Sequence, residues 1–469
     1  MASPEHEKLI KTDNWNEWRN QYPNITPDLT GALLAGINLS GKELQNSIFF
    51  RADLRGCNFS GANLSYANLK ESILKNAVFN NAILDYINLD YTDLNGVLFH
   101  KIKANSSSFR ACKLNEADFS QADLTGAFFD GAELIKAIFI GAKCENASFM
   151  GTHLDNTNFA SAQCKGAQFE SCRGTGTDFR KTNLEKTHFS KCQFTKGQFQ
   201  ECTLVSALVK NAIFIAANFT GANLSGADFS AGQFDDSDFT EAKLAKTTFA
   251  FARFQNCNFL KSYIIQANFS KAILDDINFM TAVFTAPLFE EASMKNAKMR
   301  HRSLAKANFV KANLTGADLK ESDLNEADFS YANLDSASLR QVSAKNAHFA
   351  HCYGPYADIS GSTLALADFS SAELPDADFR FSKMMGANLS HADFSYANLS
   401  NANLLEAKFK KTKLYGTILS KASINSYYLP RFFYRLINIF ISFNKKIERK
   451  KISVEEERNQ KVEKMLRKG

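Results

Sequence analysis

Read only for apolar and polar positions, the chain has a single rhythm. From Leu29 to Ile424 every fifth residue is a repeat centre, eighty in all, and nearly every centre is Leu or Phe. Val209, Ile264, Ile359, Met294, Met299 and Met384 are among the variants. Two positions before each centre the residue is usually Ala, Ser, Thr, Cys or Gly. The stretch 221–230, GANLSGADFS, shows the unit twice, with Ala222 before Leu224 and Ala227 before Phe229. Asn223, Asp228, Ser225 and Gly226, which lie between, are turn formers. No insertion or deletion shifts the frame over about 400 residues. A period of five is neither the 3.6 of a helix nor the 2.0 of a strand, so the chain must bend back at every repeat.

Centres ending in 9 are mostly Phe, with Phe109, Phe119, Phe129, Phe139 and Phe149 in succession, and centres ending in 4 are mostly Leu. In a four-sided coil alternate centres face each other across the axis. Phe then meets Phe and Leu meets Leu, which fills one narrow core in alternating layers. Each buried Leu or Phe contributes roughly 1.5–3 kcal/mol.

The triplets Ala62-Asn63-Leu64, Ala122-Asp123-Leu124, Ala312-Asn313-Leu314 and Ala397-Asn398-Leu399 match the A-(D/N)-L-X-X consensus, and the chain resembles the pentapeptide-repeat family over about 85% of its length. The resemblance implies an all-β solenoid: a right-handed quadrilateral β-helix with four pentapeptides per coil, here about 20 coils. At an inter-strand spacing of about 4.8 Å the rod would be roughly 95 Å long. The expected organisation is an N-terminal cap over 1–28, the β-helix over 29–424, and a basic helical tail over 425–469.

Before the repeat, Asn14 and Glu17 could form an N-cap pair, and Trp15, Trp18 and Tyr22 share one helical face that Pro23 ends. A short helix laying both Trp residues on the first coil would cover its open backbone edge; the alternative is a partner-binding peptide. No apolar signal-like segment appears, so the expected location is cytoplasmic.

Within the repeat, Cys144 and Cys164 stand at centres and the other seven Cys at the small inward position. No Cys-x-x-Cys occurs, so core filling is expected rather than a metal site or disulfides. Gly174 and Gly354 replace large centres, predicting a dent in the wall or, as the alternative, a ligand notch. The most irregular stretch is 287–302. There Pro287 and Arg302 take inward positions, and Lys295, Lys298, Arg300, His301 and Arg302 form a basic run. A buried unpaired Arg is unsustainable, so the coil should open or bend there. The patch reads either as structural irregularity or as a docking site for an acidic partner. Tyr353 and Tyr356 flank Gly354 and Pro355 as a second candidate interaction surface.

After Ile424 the repeat stops. The apolar run 431–443 includes Phe432, Phe433, Leu436, Ile437 and Phe440, and is too short and interrupted to span a bilayer. Lys445, Lys446, Arg449, Lys450 and Lys451 follow it. Three roles stay open: a cap on the last coil, a homodimer contact, or attachment to an anionic membrane surface.

Net charge is +6, but residues 425–469 alone hold 12 Lys/Arg against 5 Glu. Residues 29–424 hold 40 Lys/Arg against 39 Asp/Glu. Some members of the resembling family mimic duplex DNA and engage type II topoisomerases, giving quinolone resistance. Mimicry needs a strongly acidic rod, because the duplex carries one charge per ~1.7 Å; a neutral rod disfavours it and makes nucleic-acid partners unexpected. The scattered His, and acids that recur only because the repeat does, give no catalytic constellation. Neither cofactor nor metal is expected. The reading is a non-enzymatic protein-binding scaffold of bacterial origin, with its partner unnamed.

Overall fold

The computed structural model describes residues 2–424. Two compact units divide the chain, Met1–Leu288 and Phe289–Gly469, and the boundary falls inside the irregular 287–302 stretch. Phe432, Phe433, Leu436, Ile437, Phe440, Lys445, Lys446, Arg449, Lys450 and Lys451, the expected cap, dimer or membrane residues, lie outside the described residues.

In each unit the chain pairs with itself in parallel at an offset of twenty residues. In the first unit Asp28 pairs Ile48, Leu33 pairs Asp53, Asn38 pairs Asn58 and Glu43 pairs Asn63, which defines four walls of one coil. The second unit repeats the register, from Ser293 with Asn313 to Asn398 with Ile418. Most rungs are single bridges, because five residues leave no room for a longer strand. Named strands are three residues long at most: β1 (Arg173–Thr175), β2 (Gln193–Thr195), β3 (Ile213–Ile215), β4 (Tyr263–Ile265), β5 (Val283–Thr285), and the two-residue β6 (Asn403–Leu404) and β7 (Ser423–Ile424). β1, β2 and β3 form one parallel sheet, and β4 pairs with β5.

Each repeat closes with a turn in which the centre carbonyl accepts from the amide three residues on, as in Ala222 N–H to Leu224's predecessor centre Phe219 at 3.0 Å. Two residues after nearly every centre the backbone is left-handed. Gly226 takes φ 67° freely, yet Phe251 adopts 61° and Tyr356 59°. Such a conformation costs a non-glycine residue about 1–3 kcal/mol unless its surroundings enforce it. The amides of both neighbouring types of residue are engaged with the next coil: Phe251 N–H donates to Ser270 O at 2.9 Å and Tyr356 N–H to Pro375 O at 3.2 Å.

The centres are buried as the spacing predicts, with Leu414, Leu419 and Ile424 only half-buried. In the first unit the two Phe walls meet across the axis. Phe139 and Phe149 are edge to face at 5.7 Å, while Phe139 and Phe159, one coil apart on the same wall, stack at 4.7 Å. Phe194, Phe214, Phe234 and Phe254 add a third column on a wall that elsewhere carries Leu. The second unit keeps one column, from Phe289 through Phe309, Phe329 and Phe349 to Phe369. Met299, Leu319, Leu339 and Ile359 occupy the intervening Phe positions.

The small inward position tolerates hydroxyls because most donate to a centre carbonyl, either three residues earlier, as Thr187 Oγ1 does to Leu184 O, or on the previous coil. Thr157 Oγ1 donates to Leu134 O at 2.7 Å, Thr177 Oγ1 to Leu154 O at 2.8 Å and Ser362 Oγ to Leu339 O at 2.7 Å. Buried polar groups paired in this way avoid the desolvation penalty. Ser47 and Ser382 are exceptions whose hydroxyls have no partner.

The two glycines at centres have no room for a side chain. A Cβ on Gly174 would lie 2.3 Å from Thr177 Oγ1 and 3.0 Å from Leu154 O. At Gly354 it would meet Leu374 Cδ2 at 3.0 Å and Leu334 Cβ at 3.1 Å. Side chains from the same and adjoining rungs have already taken the space.

All nine cysteines are free and buried. Burial pushes the Cys57 thiol from an ordinary 9.0 up to about 11, and those of Cys112 and Cys257 to about 12. Raised folded values mean that stability is fully present below pH 9 and is lost as pH climbs through the folded values. The melting temperature should therefore fall faster between pH 9 and 11 in the native sequence than in a Cys57→Ala variant. Equal slopes would show that this thiol contributes nothing to alkaline unfolding.

Candidate functional site

With centres and small residues consumed by the core, only the outward positions remain for recognition. Many of these charges are spent on one another. Arg55 pairs with Asp53, Arg180 with Asp178 and Arg380 with Asp378, each at 2.6 Å, and Arg55's side-chain hydrogen bond is the main cause holding the Asp53 carboxyl below its ordinary range. Other pairs bridge coils, such as Lys136–Glu116 at 3.1 Å and Lys261–Glu241 at 3.3 Å. Exposed pairs of this kind contribute about 0–1 kcal/mol each. Their larger effect is to quench local charge.

The basic run behaves in the same way. Arg300 Nε pairs with Asp318, and His301 Nδ1 lies 3.2 Å from Glu321. Lys295 and Lys298 are on the same stretch, with Lys298 bridged by backbone to Asp318. Arg302 is half-buried rather than sunk in the core, and its Nε donates to Arg300 O at 3.0 Å. The expected opening of the coil is absent toward the following rung. Asp323 N–H still donates to Arg302 O at 2.8 Å, and Arg302 N–H to Ser322 Oγ at 3.0 Å. The long side chain leaves the core while its backbone keeps the register. Met294 and Met299 fill their centres completely.

Tyr353 and Tyr356 are brought together on one side of the second unit, Tyr353 on a wall rung between Asn333 and Glu373 and Tyr356 at the adjoining corner. Both are exposed, while the intervening Pro355 is buried.

At the N-terminal end the sequence reading is half right. Helix α2 (Trp15–Gln21) forms where expected, and Trp15 is fully buried, with Nε1 donating to Glu43 O at 2.8 Å. Trp18 is only half-buried, packed between His6 and Tyr22 at 5.3 and 6.2 Å, and Tyr22 is exposed. Asn14 precedes the helix but makes no side-chain cap. Its φ −77° and ψ 0° are not the extended conformation that aims an N-cap side chain at the first-turn amides. The sequence reading missed α1 (Pro4–Ile10), although Ser3 followed by Pro4 and Glu5 is a helix-start signal. It also missed two residues that tie the segment to the first coil. Asn16 Nδ2 donates to Gly41 O at 3.0 Å, and Arg19 reaches Ile25 O at 2.6 Å and Gln45 O at 3.1 Å.

Among the described residues no group of three or more His, Cys, Asp or Glu could hold a metal ion. No helix among them is long and apolar enough to cross a membrane.

Against family models, residues 28–65, 62–100, 106–139, 198–230, 222–259, 233–270, 332–370, 356–390 and 382–421 match pentapeptide repeats. Residues 142–212 and 252–329 match a pentapeptide repeat region. No curated protein matches the chain. Similar solved structures include HetL, a pentapeptide repeat protein involved in heterocyst differentiation regulation in the cyanobacterium Nostoc sp.. It is 25% identical over 48% of this chain and 88% of its own, with a TM-score of 0.25. QnrB1, a plasmid-mediated fluoroquinolone resistance protein, is 20% identical over 37% of this chain and 91% of its own, with a TM-score of 0.21. A pentapeptide repeat protein of the Arabidopsis thaliana thylakoid lumen is 25% identical over 27% of this chain and 63% of its own, with a TM-score of 0.10.

Proposed function

The chain belongs to the pentapeptide-repeat family, and on that premise we propose that it is a non-enzymatic scaffold that binds another protein. The observation that carries this reading is the division of labour in the repeat. The core consumes the centres and the small residues, so rigid outward ladders are what the chain can offer a partner. In this reading the coil is right-handed and square, and the helices at the N-terminal end cap the first coil. The repeat over 29–424 is one scaffold in a bacterial cytoplasm.

A topoisomerase-binding DNA mimic fits less well. Its 40 Lys/Arg against 39 Asp/Glu leave residues 29–424 near neutrality, and many of the acids have basic partners on adjacent rungs. Peripheral attachment to an anionic membrane through Lys445, Lys446, Arg449, Lys450 and Lys451 is a separate proposal. Those five charges would contribute about 1 kcal/mol each at such a surface. Homodimer contact through Phe432, Phe433, Leu436, Ile437 and Phe440 is the competing role for the same region.

The test is chemical cross-linking in the native cell followed by identification of the captured chains, run beside a supercoiling assay with purified gyrase. A reproducible protein partner and unchanged supercoiling are expected. Inhibition of gyrase that weakens with salt would replace the scaffold reading with mimicry.

A further inference from the structure

We propose that one wall of the second unit is a binding face for a Lys/Arg-rich extended segment of a partner protein. This rests on the scaffold reading and adds to it a surface and the chemistry of the partner. Asn333, Tyr353, Glu373 and Asp393 are successive rungs of that wall. One bordering corner carries Tyr331 and His351, whose rings stack at 4.7 Å and 1°. The other carries Tyr356, Asp376 and Tyr396, each in the left-handed conformation. Tyr331, Tyr353, Tyr356 and Tyr396 are 57%, 47%, 67% and 54% exposed. Four tyrosines therefore face solvent from one side of four consecutive coils.

The charge on this side is as one-sided as its aromatic content. The segments 330–336, 350–356, 370–376 and 390–396 contain no Lys or Arg, but hold Asp335, Glu373, Asp376 and Asp393. The cations of the same coils, Arg340, Lys345, Arg380 and Lys383, belong to other walls. Asp393 is paired with Lys413 at 3.1 Å, from the coil beyond. Glu373 and Asp376 have no ion pair among the described residues, whereas Asp318, Glu321, Glu326 and Asp378 of the same unit all do. Asp323, Asp328, Asp358 and Asp368 on the other walls have no ion pair among the described residues either, but beside the tyrosines the open carboxylates share their wall segments with no Lys or Arg.

Aromatic faces and unpaired carboxylates attract the same ligand. A Lys or Arg head group gains from the ring quadrupole within about 6 Å and from the carboxylate together. An anionic lipid surface or an acidic peptide meets only repulsion there. Four rungs at about 4.8 Å span roughly 14 Å, the length of about four extended residues. Pro355 and Pro375 stiffen the edge of this strip and present no amide hydrogen. The wall suits a short run of extended cationic chain.

The test is fluorescence anisotropy with the full-length protein and two short labelled peptides, one Lys/Arg-rich and one with Glu in place of every cation. Tight, salt-sensitive binding of the cationic peptide alone is expected. Tyr353→Ala with Tyr356→Ala, and separately Glu373→Gln with Asp376→Asn, should each weaken it roughly tenfold, with unchanged melting curves because all four side chains lie outside the core. Unweakened binding by both variants would place the site elsewhere and overturn the proposal, as would equal binding of the acidic peptide. Binding only when Lys445, Lys446, Lys450 and Lys451 are changed to Gln would identify the chain's own tail as the occupant, which overturns the partner assignment. Absence of binding in every chain also overturns it, while leaving the scaffold reading to the cross-linking result, which needs no cationic partner.

Discussion

Phe159→Ala is expected to cost about 3–5 kcal/mol of folding stability, read as a fall in the denaturant midpoint at unchanged slope. Phe159 is fully buried and stacks on Phe139 at 4.7 Å and Phe179 at 5.1 Å, with Phe149 and Phe169 edge to face at 5.4 and 5.6 Å. Truncation removes one ring from its own column and the edge-to-face contacts it makes with the facing column. The backbone rungs above and below are held by hydrogen bonds such as Phe159 N–H to Asp178 O at 2.7 Å, so the coils cannot collapse into the space. The cavity term should therefore be near its upper range. A loss under about 1 kcal/mol would mean that the column repacks and the core is more pliable than its stacking implies. A changed slope would show that the coils around Phe159 unfold separately from the rest.

Trp15→Ala should have an effect of similar size, about 3–5 kcal/mol, but with a different signature. The substitution empties a fully buried site and leaves Glu43 O without the indole donor that lies 2.8 Å away. The remaining ties of this segment to the coil, through Asn16 and Arg19, then act without their apolar anchor. An uncovered coil end presents open backbone groups that can pair with another chain. Concentration-dependent association is expected on size exclusion with light scattering, at temperatures where the rest of the fold survives. A variant that melts earlier but stays at its native size would separate stability from edge protection, and would count against the capping role proposed for α1 and α2.

The same residues show how far the sequence could be read. A spacing of five, kept without a slip from Leu29 to Ile424, requires a chain that bends at each repeat and turns every centre inward. The alternation of Phe and Leu then predicts which rings meet. Phe139 against Phe149, across the axis, was legible because inward facing depends only on local spacing. The cysteines were legible for the same reason, since all occupy inward positions. Trp15 could be assigned to a buried helical face, but the failed cap at Asn14 could not, because it turns on one pair of backbone angles.

Most of what bears on recognition was decided by tertiary structure. Arg302 looks impossible at an inward position until its side chain is seen to leave the core with the backbone register intact. Arg300 and His301 look like a cationic patch until Asp318 and Glu321 of the next coil lie beside them. Tyr353 and Glu373 are neighbours for the same reason, although twenty residues separate them. The sequence by itself determined the inside of this protein, because a repeat of five fixes which side chains enter the core. The outside was settled by the parallel hydrogen-bonded rungs, which bring together residues eighteen or twenty apart, and by left-handed turn residues such as Tyr356 and Phe251, whose conformation their own chemistry disfavours and the neighbouring coils impose.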